Sequence, residues 1–190
     1  MQQVQQVQRL VFQGGAIYDG EVIFTVAGLV PHGYGTMRNY LTGDTHTGYY
    51  QEGLRHGQGQ SYSQSTQRYY NGSYVNGREE GFCTIMCPSQ NGGGSRQYVG
   101  MRSNGVRHGQ GQLVENMVTG QTTVFEGIWY NDQLSGQGKF TFSQPGGGTH
   151  VYEGNFVRGR LEGWGIYSNT TAFNVRYNAF FQAGNVVQWG

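Results

Sequence analysis

"GLRHGQGQ" at residues 53–60 returns as "GVRHGQGQ" at 105–112, an interval of 52 residues. A catalytic loop is needed once, so a short polar string written twice points first to repeated structure. Sliding the octet along the chain finds relatives throughout. "HTGYYQEGLRHGQG" (46–59) stacks on "YNGSYVNGREEGFC" (70–83), "YVGMRSNGVRHGQG" (98–111), "FEGIWYNDQLSGQG" (125–138) and "YEGNFVRGRLEGWG" (152–165). A worn "YNAFFQAGNVVQWG" (177–190) follows them, and "YDGEVIFTVAGLVPHGYG" (18–35), with four extra residues, precedes them. The array therefore runs over 18–190 as seven repeats starting near 18, 46, 70, 98, 125, 152 and 177, and residues 1–17 stand apart as an N-terminal cap segment.

Each repeat keeps an aromatic residue or His at repeat position 1, a small residue at 3, usually an aromatic at 5, and Gly at 8, 12 and 14 with few exceptions. The 1-3-5 alternation predicts a strand, because residues i, i+2 and i+4 share one face. Positions 7–8 read Asn76-Gly77, Asn104-Gly105 and Asn131-Asp132, pairs that tolerate positive φ and suit a two-residue type I′ hairpin turn. An unbroken ladder from that turn pairs 6 with 9, 5 with 10, 3 with 12 and 1 with 14. The rings at position 1, among them Tyr70, Tyr98, Phe125 and Tyr152, are then expected to lie over glycine backbone. The spacing read at position 3 varies between 24 and 28 residues, the slack sitting in loop-like stretches such as "NGGGSRQ" and "QPGGGTH". The expected fold is all-β, a stack of about seven β-hairpins.

Composition agrees. The chain holds 34 Gly and only 3 Pro, with 14 % aromatic and 12 % charged residues, a profile of strands and tight turns. A formal net charge of +1 argues against a general polyanion binder, and nucleic acid is not an expected partner. No window approaches about 18 consecutive apolar residues, which excludes a membrane-spanning helix. The start, "MQQVQQVQRLVFQGG", lacks the apolar core and cleavage site of a signal peptide, so a cytoplasmic location is the expectation. This segment caps the array as a strand or forms a short helix with Val4, Val7 and Val11 on one side; a strand or irregular segment is favoured. Cys83 and Cys87, i,i+4 on one strand, are too far apart for a disulfide and read as packed thiols.

With the repeats registered, the chain resembles the MORN (membrane occupation and recognition nexus) repeat proteins, whose unit reads approximately YxGxWxxGxxxGxG. The resemblance implies an elongated, solenoid-like, twisted and grooved array without catalytic machinery. MORN proteins made of little but repeats are frequently cytoskeletal, found in flagellar axonemes including radial spokes, in basal apparatus and cell cortex, and as partners of myosin tails. It therefore implies a scaffold or adaptor in the cytoskeleton, including a cilium or flagellum, that binds helical or extended segments of cytoskeletal or axonemal proteins. The family name records proposed lipid attachment, and a peripheral, phospholipid-binding module is the alternative. Charge patterning opposes it, because Lys139 is the single lysine and Arg55, Arg107, Arg158 and Arg160 are dispersed among Glu79, Glu80 and Glu162. Open sheet ends leave room for homo-oligomers.

No enzyme signature survives inspection. "GQGQ" and "PGGGTH" are not followed by Lys-Ser/Thr or a helix, and no serine has a His and acid partner by motif. His32, His56 and His108 all fall at position 11, but rungs of a ladder do not converge on one ion, so neither metal nor cofactor is expected. Glu80 stands at that position between two of them, which predicts a polar row His56–Glu80–His108. The position-5 residues Tyr50, Tyr74, Trp129 and Phe156 form an aromatic row that serves as packing between rungs or as a partner groove. Arg102 replaces the aromatic in the fourth repeat and faces Arg107, a like-charge pair that requires something negative nearby. Glu79 of the preceding repeat, or a carboxylate or phosphate of a partner, answers that need. The partner-contacting set expected from sequence is accordingly Tyr50, Tyr74, Arg102, Arg107, Trp129 and Phe156.

Overall fold

The computed structural model describes residues 3–89, 93–170 and 175–190. Among these every regular element is a β-strand. β1 (Gln5–Val11) precedes seven hairpins: β2 (Ala16–Thr25) with β3 (Gly28–Asn39), β4 (Thr45–Gln51) with β5 (Leu54–Ser63), and β6 (Arg68–Val75) with β7 (Arg78–Pro88). There follow β8 (Gly94–Ser103) with β9 (Val106–Met117), β10 (Thr122–Tyr130) with β11 (Gln133–Ser143), β12 (Thr149–Val157) with β13 (Arg160–Asn169), and β14 (Val175–Gln182) with β15 (Asn185–Trp189). The chain forms two compact bodies, Met1–Cys87 with Ser103–Gly105, and Pro88–Arg102 with Val106–Gly190. Within the N-terminal body β1 to β7 lie in chain order, each hydrogen-bonded to the next, and within the C-terminal body β8 to β15 do the same.

The turn chemistry decides the hairpins as the dipeptides require. Both central residues have positive φ in Asn76-Gly77 (49° and 82°), Asn104-Gly105 (51° and 82°) and Asn131-Asp132 (47° and 66°), the geometry of a type I′ turn. The first repeat turns instead between Thr25 and Gly28, its four extra residues lengthening both strands by two.

Beyond the turn, the simple ladder does not hold. Tyr50 faces Arg55, as position 5 should face 10, but Gly48 faces Gly59, so position 3 pairs with 14 and not with 12. The third, fifth and sixth repeats show the same shift, with Gly72 opposite Cys83, Gly127 opposite Gly138 and Gly154 opposite Gly165. A β-bulge in the return strand absorbs the extra residues. Its residue at position 12 adopts positive φ (68° at Gly57, 77° at Gly81, 79° at Gly136), which is what the glycine there is for. The seventh repeat has Gln188 at that position, and Ala179 accordingly faces Trp189, one residue earlier than position 14.

The facing glycines at 3 and 14 let two strands and a ring occupy one spot. A Cβ on Gly111 would fall 2.4 Å from the Tyr98 hydroxyl, and one on Gly35 would fall 2.2 Å from that of Tyr18. The rings thus lie over bare backbone, and their hydroxyls donate to carbonyls beside the bulge: Tyr18 to Glu21 (2.9 Å), Tyr70 to Ser73 (2.7 Å) and Tyr98 to Met101 (2.7 Å). A ring that must fill the site and satisfy a carbonyl explains tyrosine at position 1.

Hairpins are stapled to their predecessors through the turns. The position-8 amide donates to the position-10 carbonyl of the repeat before it: Gly53 to Pro31, Gly77 to Arg55 and Gly105 to Glu79 in the N-terminal body, at 2.8, 2.8 and 3.0 Å. Asp132 to Arg107, Gly159 to Leu134 and Gly184 to Leu161 do likewise in the C-terminal body, at 3.1, 2.9 and 2.9 Å.

The N-terminal segment is a strand, antiparallel to β2. A bulge at Arg9, whose amide donates to Asp19 at 2.7 Å, changes its alternation. Val7, Leu10 and Phe12 therefore pack on Tyr18, Val22 and Tyr50, whereas Val4 and Val11 are exposed. Both cysteines are free thiols; Cys83 is buried in the position-14 slot opposite Gly72.

Candidate functional site

The aromatic row expected to face a partner is core. Tyr50, Tyr74, Trp129 and Phe156 are each 1–5 % exposed. Tyr50 packs edge-on to Tyr18 at 5.3 Å between ring centroids, and Trp129 to Tyr98 at 5.8 Å, its indole N–H donating to the Gly111 carbonyl at 2.9 Å. Phe156 covers Gly138. Position 5 is the place where the ring of one repeat closes over the glycines of its neighbour, so burial follows from the stacking itself.

The arginine pair is answered from within the chain. Arg107 donates its backbone amide and Nε to Asp132 Oδ1 at 3.0 and 2.9 Å, and its Nη2 to the Asp132 carbonyl at 2.9 Å. Its guanidinium lies over Trp129 at 4.3 Å from the ring centre and reaches Tyr98 at 5.9 Å. Burial alone would raise the Asp132 pKa, but the bonds from Arg107 and the charges of Arg107 and Arg102 outweigh it and hold the carboxyl below its ordinary range. Asp132 stands where the repeat usually has its turn glycine, and this ion pair is the physical reason. Glu79, the neighbour expected to serve the arginines, accepts a two-pronged pair from Arg68 at 2.6 and 2.7 Å as well. Asp132→Asn, which suits the turn equally, is expected to destabilise the protein by about 1 kcal/mol, less in molar salt. Equal urea midpoints for the two chains would show that the pair contributes nothing.

The polar row does other work than expected. Glu80 Oε2 accepts the backbone amide of Asn104 at 2.8 Å, in the turn of the next repeat. The same bond recurs from Glu52 to His32 Nδ1 (3.4 Å) and from Ala183 to Glu162 Oε2 (2.9 Å). Position 11 is thus an acceptor for the next turn. His108 instead packs its ring on Tyr130 at 5.1 Å, and the buried Nδ1 of His56 has no hydrogen-bond partner among the described residues. Glu at position 11, in Glu80 and Glu162, with His32 in the first repeat, is the signal that marks these caps in the sequence.

What remains available lies one row over, in the C-terminal body. Phe125, Phe140, Tyr152 and Tyr167 run strand to strand at 5.0, 5.7 and 4.9 Å between ring centroids, all half-buried. Tyr18 and Tyr70 in the N-terminal body are fully buried by comparison. The difference comes from position 10, where Leu134 and Leu161 fill the space beside Gly127 and Gly154 that the tyrosines occupy elsewhere. Phe125 and Tyr152 are therefore not drawn down over their own glycines. They line, with Phe140, Phe156 and Leu161, a cleft of about 470 Å³. A smaller cleft of about 240 Å³ shares Phe125 and Gly159 with it and is edged by the Arg96–Glu115 and Arg107–Asp132 ion pairs. An apolar strip with a charged rim has the make-up of a protein-binding surface. No cluster of metal-ligating side chains occurs among the described residues.

A family model for the MORN repeat matches five segments, 46–65, 70–92, 98–114, 125–144 and 152–170. These are the second to sixth hairpins. The first, with its longer strands, and the seventh, with Gln188 at the bulge, fall outside the match. No curated protein gives a significant match to the chain.

Proposed function

The chain belongs to the MORN repeat family, and from that premise we propose that it is a non-enzymatic scaffold or adaptor that docks a protein segment in the aromatic cleft of β10 to β13. MORN repeats are in general protein- and membrane-interaction modules. The observation that carries the reading is the strip Phe125, Phe140, Tyr152 and Tyr167, continuous from strand to strand and half-exposed, whereas the rings Tyr18, Tyr70 and Tyr98 at position 1 and Tyr50, Tyr74, Trp129 and Phe156 at position 5 are buried. A helix or extended segment inserting apolar side chains fits a strip of this kind. The buried position-5 row does not bind in this proposal; it holds the strip in place.

The setting we propose is cytoskeletal, in a cilium or flagellum axoneme or its basal apparatus, with the cytoplasm as compartment. Its support is the resemblance to MORN proteins that consist of little but repeats. The test pairs a tagged natural chain with Phe140→Glu, matched for secondary structure by circular dichroism. The natural chain is expected to decorate cytoskeletal or ciliary structures and to retain partner proteins through washing, and the variant to lose both. Equal retention by the two would remove the cleft from the function. Sedimentation of the natural chain with vesicles containing anionic lipid, but not with neutral ones, would move the assignment to a peripheral membrane module.

A further inference from the structure

A second cavity, in the N-terminal body, plays no part in that reading. It holds about 520 Å³ and is lined by Phe12, Met37 and Leu54, by His46 and Tyr50, and by Arg55. The volume is that of a small-molecule or side-chain pocket.

Three features of its walls point to one chemistry. Tyr50 is 5 % exposed, yet its buried hydroxyl has no hydrogen-bond partner among the described residues. A hydroxyl taken from water and left without a partner is costly, and the deficit is removed by a ligand that supplies an acceptor. Arg55 is the cross-strand partner of Tyr50 on the same face. Its counterparts at position 10 are matched by opposite charge, Glu79 by Arg68 and Arg107 by Asp132. Arg55 has no carboxylate within ion-pair distance among the described residues; it donates Nη1 to Ser61 Oγ at 3.3 Å and rests over Tyr74 at 5.0 Å.

His46 Nδ1 is bonded to Ser61 Oγ at 2.7 Å. Its buried Nε2 has no hydrogen-bond partner among the described residues but lies against the backbone of Gly48 and Gly59, where no ligand fits. Asp44 at the rim accepts the Gln64 amide at 2.9 Å. A carboxylate at the mouth disfavours a multiply charged phosphate and leaves room for a monoanion.

We propose that this cavity binds a carboxylate carried on an apolar body, the carboxylate between Arg55 and the Tyr50 hydroxyl and the apolar part against Phe12 and Met37. The carboxylate comes either from a free aryl- or alkyl-carboxylic acid or from the C-terminus of a polypeptide ending in an apolar residue. Recognition is the same in both cases, a charge-assisted bond from guanidinium and phenol plus burial of the body.

The test is calorimetric titration of the full chain with 3-phenylpropionate and, in parallel, with its neutral analogue 3-phenylpropanol. A short peptide ending in Phe, with a free or an amidated terminus, forms the second arm. The acid is expected to bind saturably and at least about tenfold more tightly than the alcohol, with Arg55→Gln losing about tenfold and Tyr50→Phe a smaller factor. A free-terminus peptide that binds more tightly than the acid supports the proposal and assigns the source to a polypeptide; the reverse order supports it and assigns a small acid. Equal affinity for acid and alcohol, equal affinity of Arg55→Gln and the natural chain, or no saturable binding of acid or peptide overturns it. If Arg55→Gln does not fold, the acid and alcohol titrations of the natural chain still decide. The site is independent of the aromatic cleft, so Phe140→Glu should bind 3-phenylpropionate unchanged.

Discussion

Gly100→Ala is expected to destabilise the protein by about 3 kcal/mol, among the largest single-residue effects in the molecule. A Cβ at this position would stand 2.4 Å from the Gly111 Cα, 2.7 Å from the Gln110 carbonyl oxygen and 2.7 Å from the Tyr98 hydroxyl. Two of those three atoms are backbone, so no rotamer change relieves the conflict. The strands must separate, and the Tyr98 hydroxyl then loses its bond to the Met101 carbonyl. Gly159→Ala is the matched control. Gly159 also lies in a hairpin, at φ 77°, but a Cβ there meets nothing within 4 Å, so only the cost of the left-handed conformation remains, about 1 kcal/mol. Urea denaturation of both variants separates the contributions. A Gly100→Ala chain no less stable than Gly159→Ala would mean that close approach is not the reason for the glycine pair.

The second large effect is on pH. His46 takes the ring position of the second repeat, over Gly59, with Tyr50 and Tyr74 edge-on at 5.1 and 5.0 Å. Burial first, and the charge of Arg55 second, lower its pKa from 6.5 to about 4, so the folded protein holds the imidazole neutral. Between these values the unfolded chain binds the proton and the folded chain does not. Stability therefore falls as pH is lowered through that window, by about 1.4 kcal/mol per unit and roughly 3 kcal/mol across it, and this group's contribution levels off below about pH 4. His46→Phe keeps a ring over Gly59 and removes the titration. The unfolding free energy of the natural chain minus that of His46→Phe should fall by that amount from pH 7 to pH 4, carboxylate titrations cancelling in the subtraction. Parallel pH profiles would show that His46 is not buried as a neutral group.

Hairpin number and turn type were legible because they are encoded within a few adjacent residues. Asn76-Gly77 and Asn104-Gly105 act on their own backbone, and the alternation around Tyr50 or Trp129 needs no knowledge of any other repeat. Ring over glycine was legible for a similar reason, since Tyr98 and Gly111 belong to one hairpin. The pairing of Gly48 with Gly59 was not, because a glycine at position 12 reads equally as space for a ring and as a bulge residue with positive φ. Only the ladder on both sides of Gly57 separates the two.

The site was less legible than the fold. An aromatic row looks alike in sequence whether it is buried or exposed, and which row is exposed depends on Leu134 and Leu161, a detail of packing beside Gly127 and Gly154. Arg107 and Asp132 stand 25 residues apart and meet because each turn docks on the repeat before it. That docking also makes His32, Glu80 and Glu162 at position 11 caps for Glu52, Asn104 and Ala183, where the sequence predicted a polar row.

What the sequence by itself determined is therefore the repeat: seven hairpins, their turns, and rings laid over bare backbone, all consequences of local stereochemistry and period-two alternation. What only the tertiary structure decided is the two-residue shift of register within the hairpins, the partner of Arg107, the exposure of the strip through Phe140, and the absence of a carboxylate partner for Arg55 beside the Tyr50 hydroxyl. The physical reason is range. A turn is governed by the φ and ψ of its own residues, whereas burial and ion pairing are governed by side chains some two dozen residues away that the stacking of hairpins brings into contact.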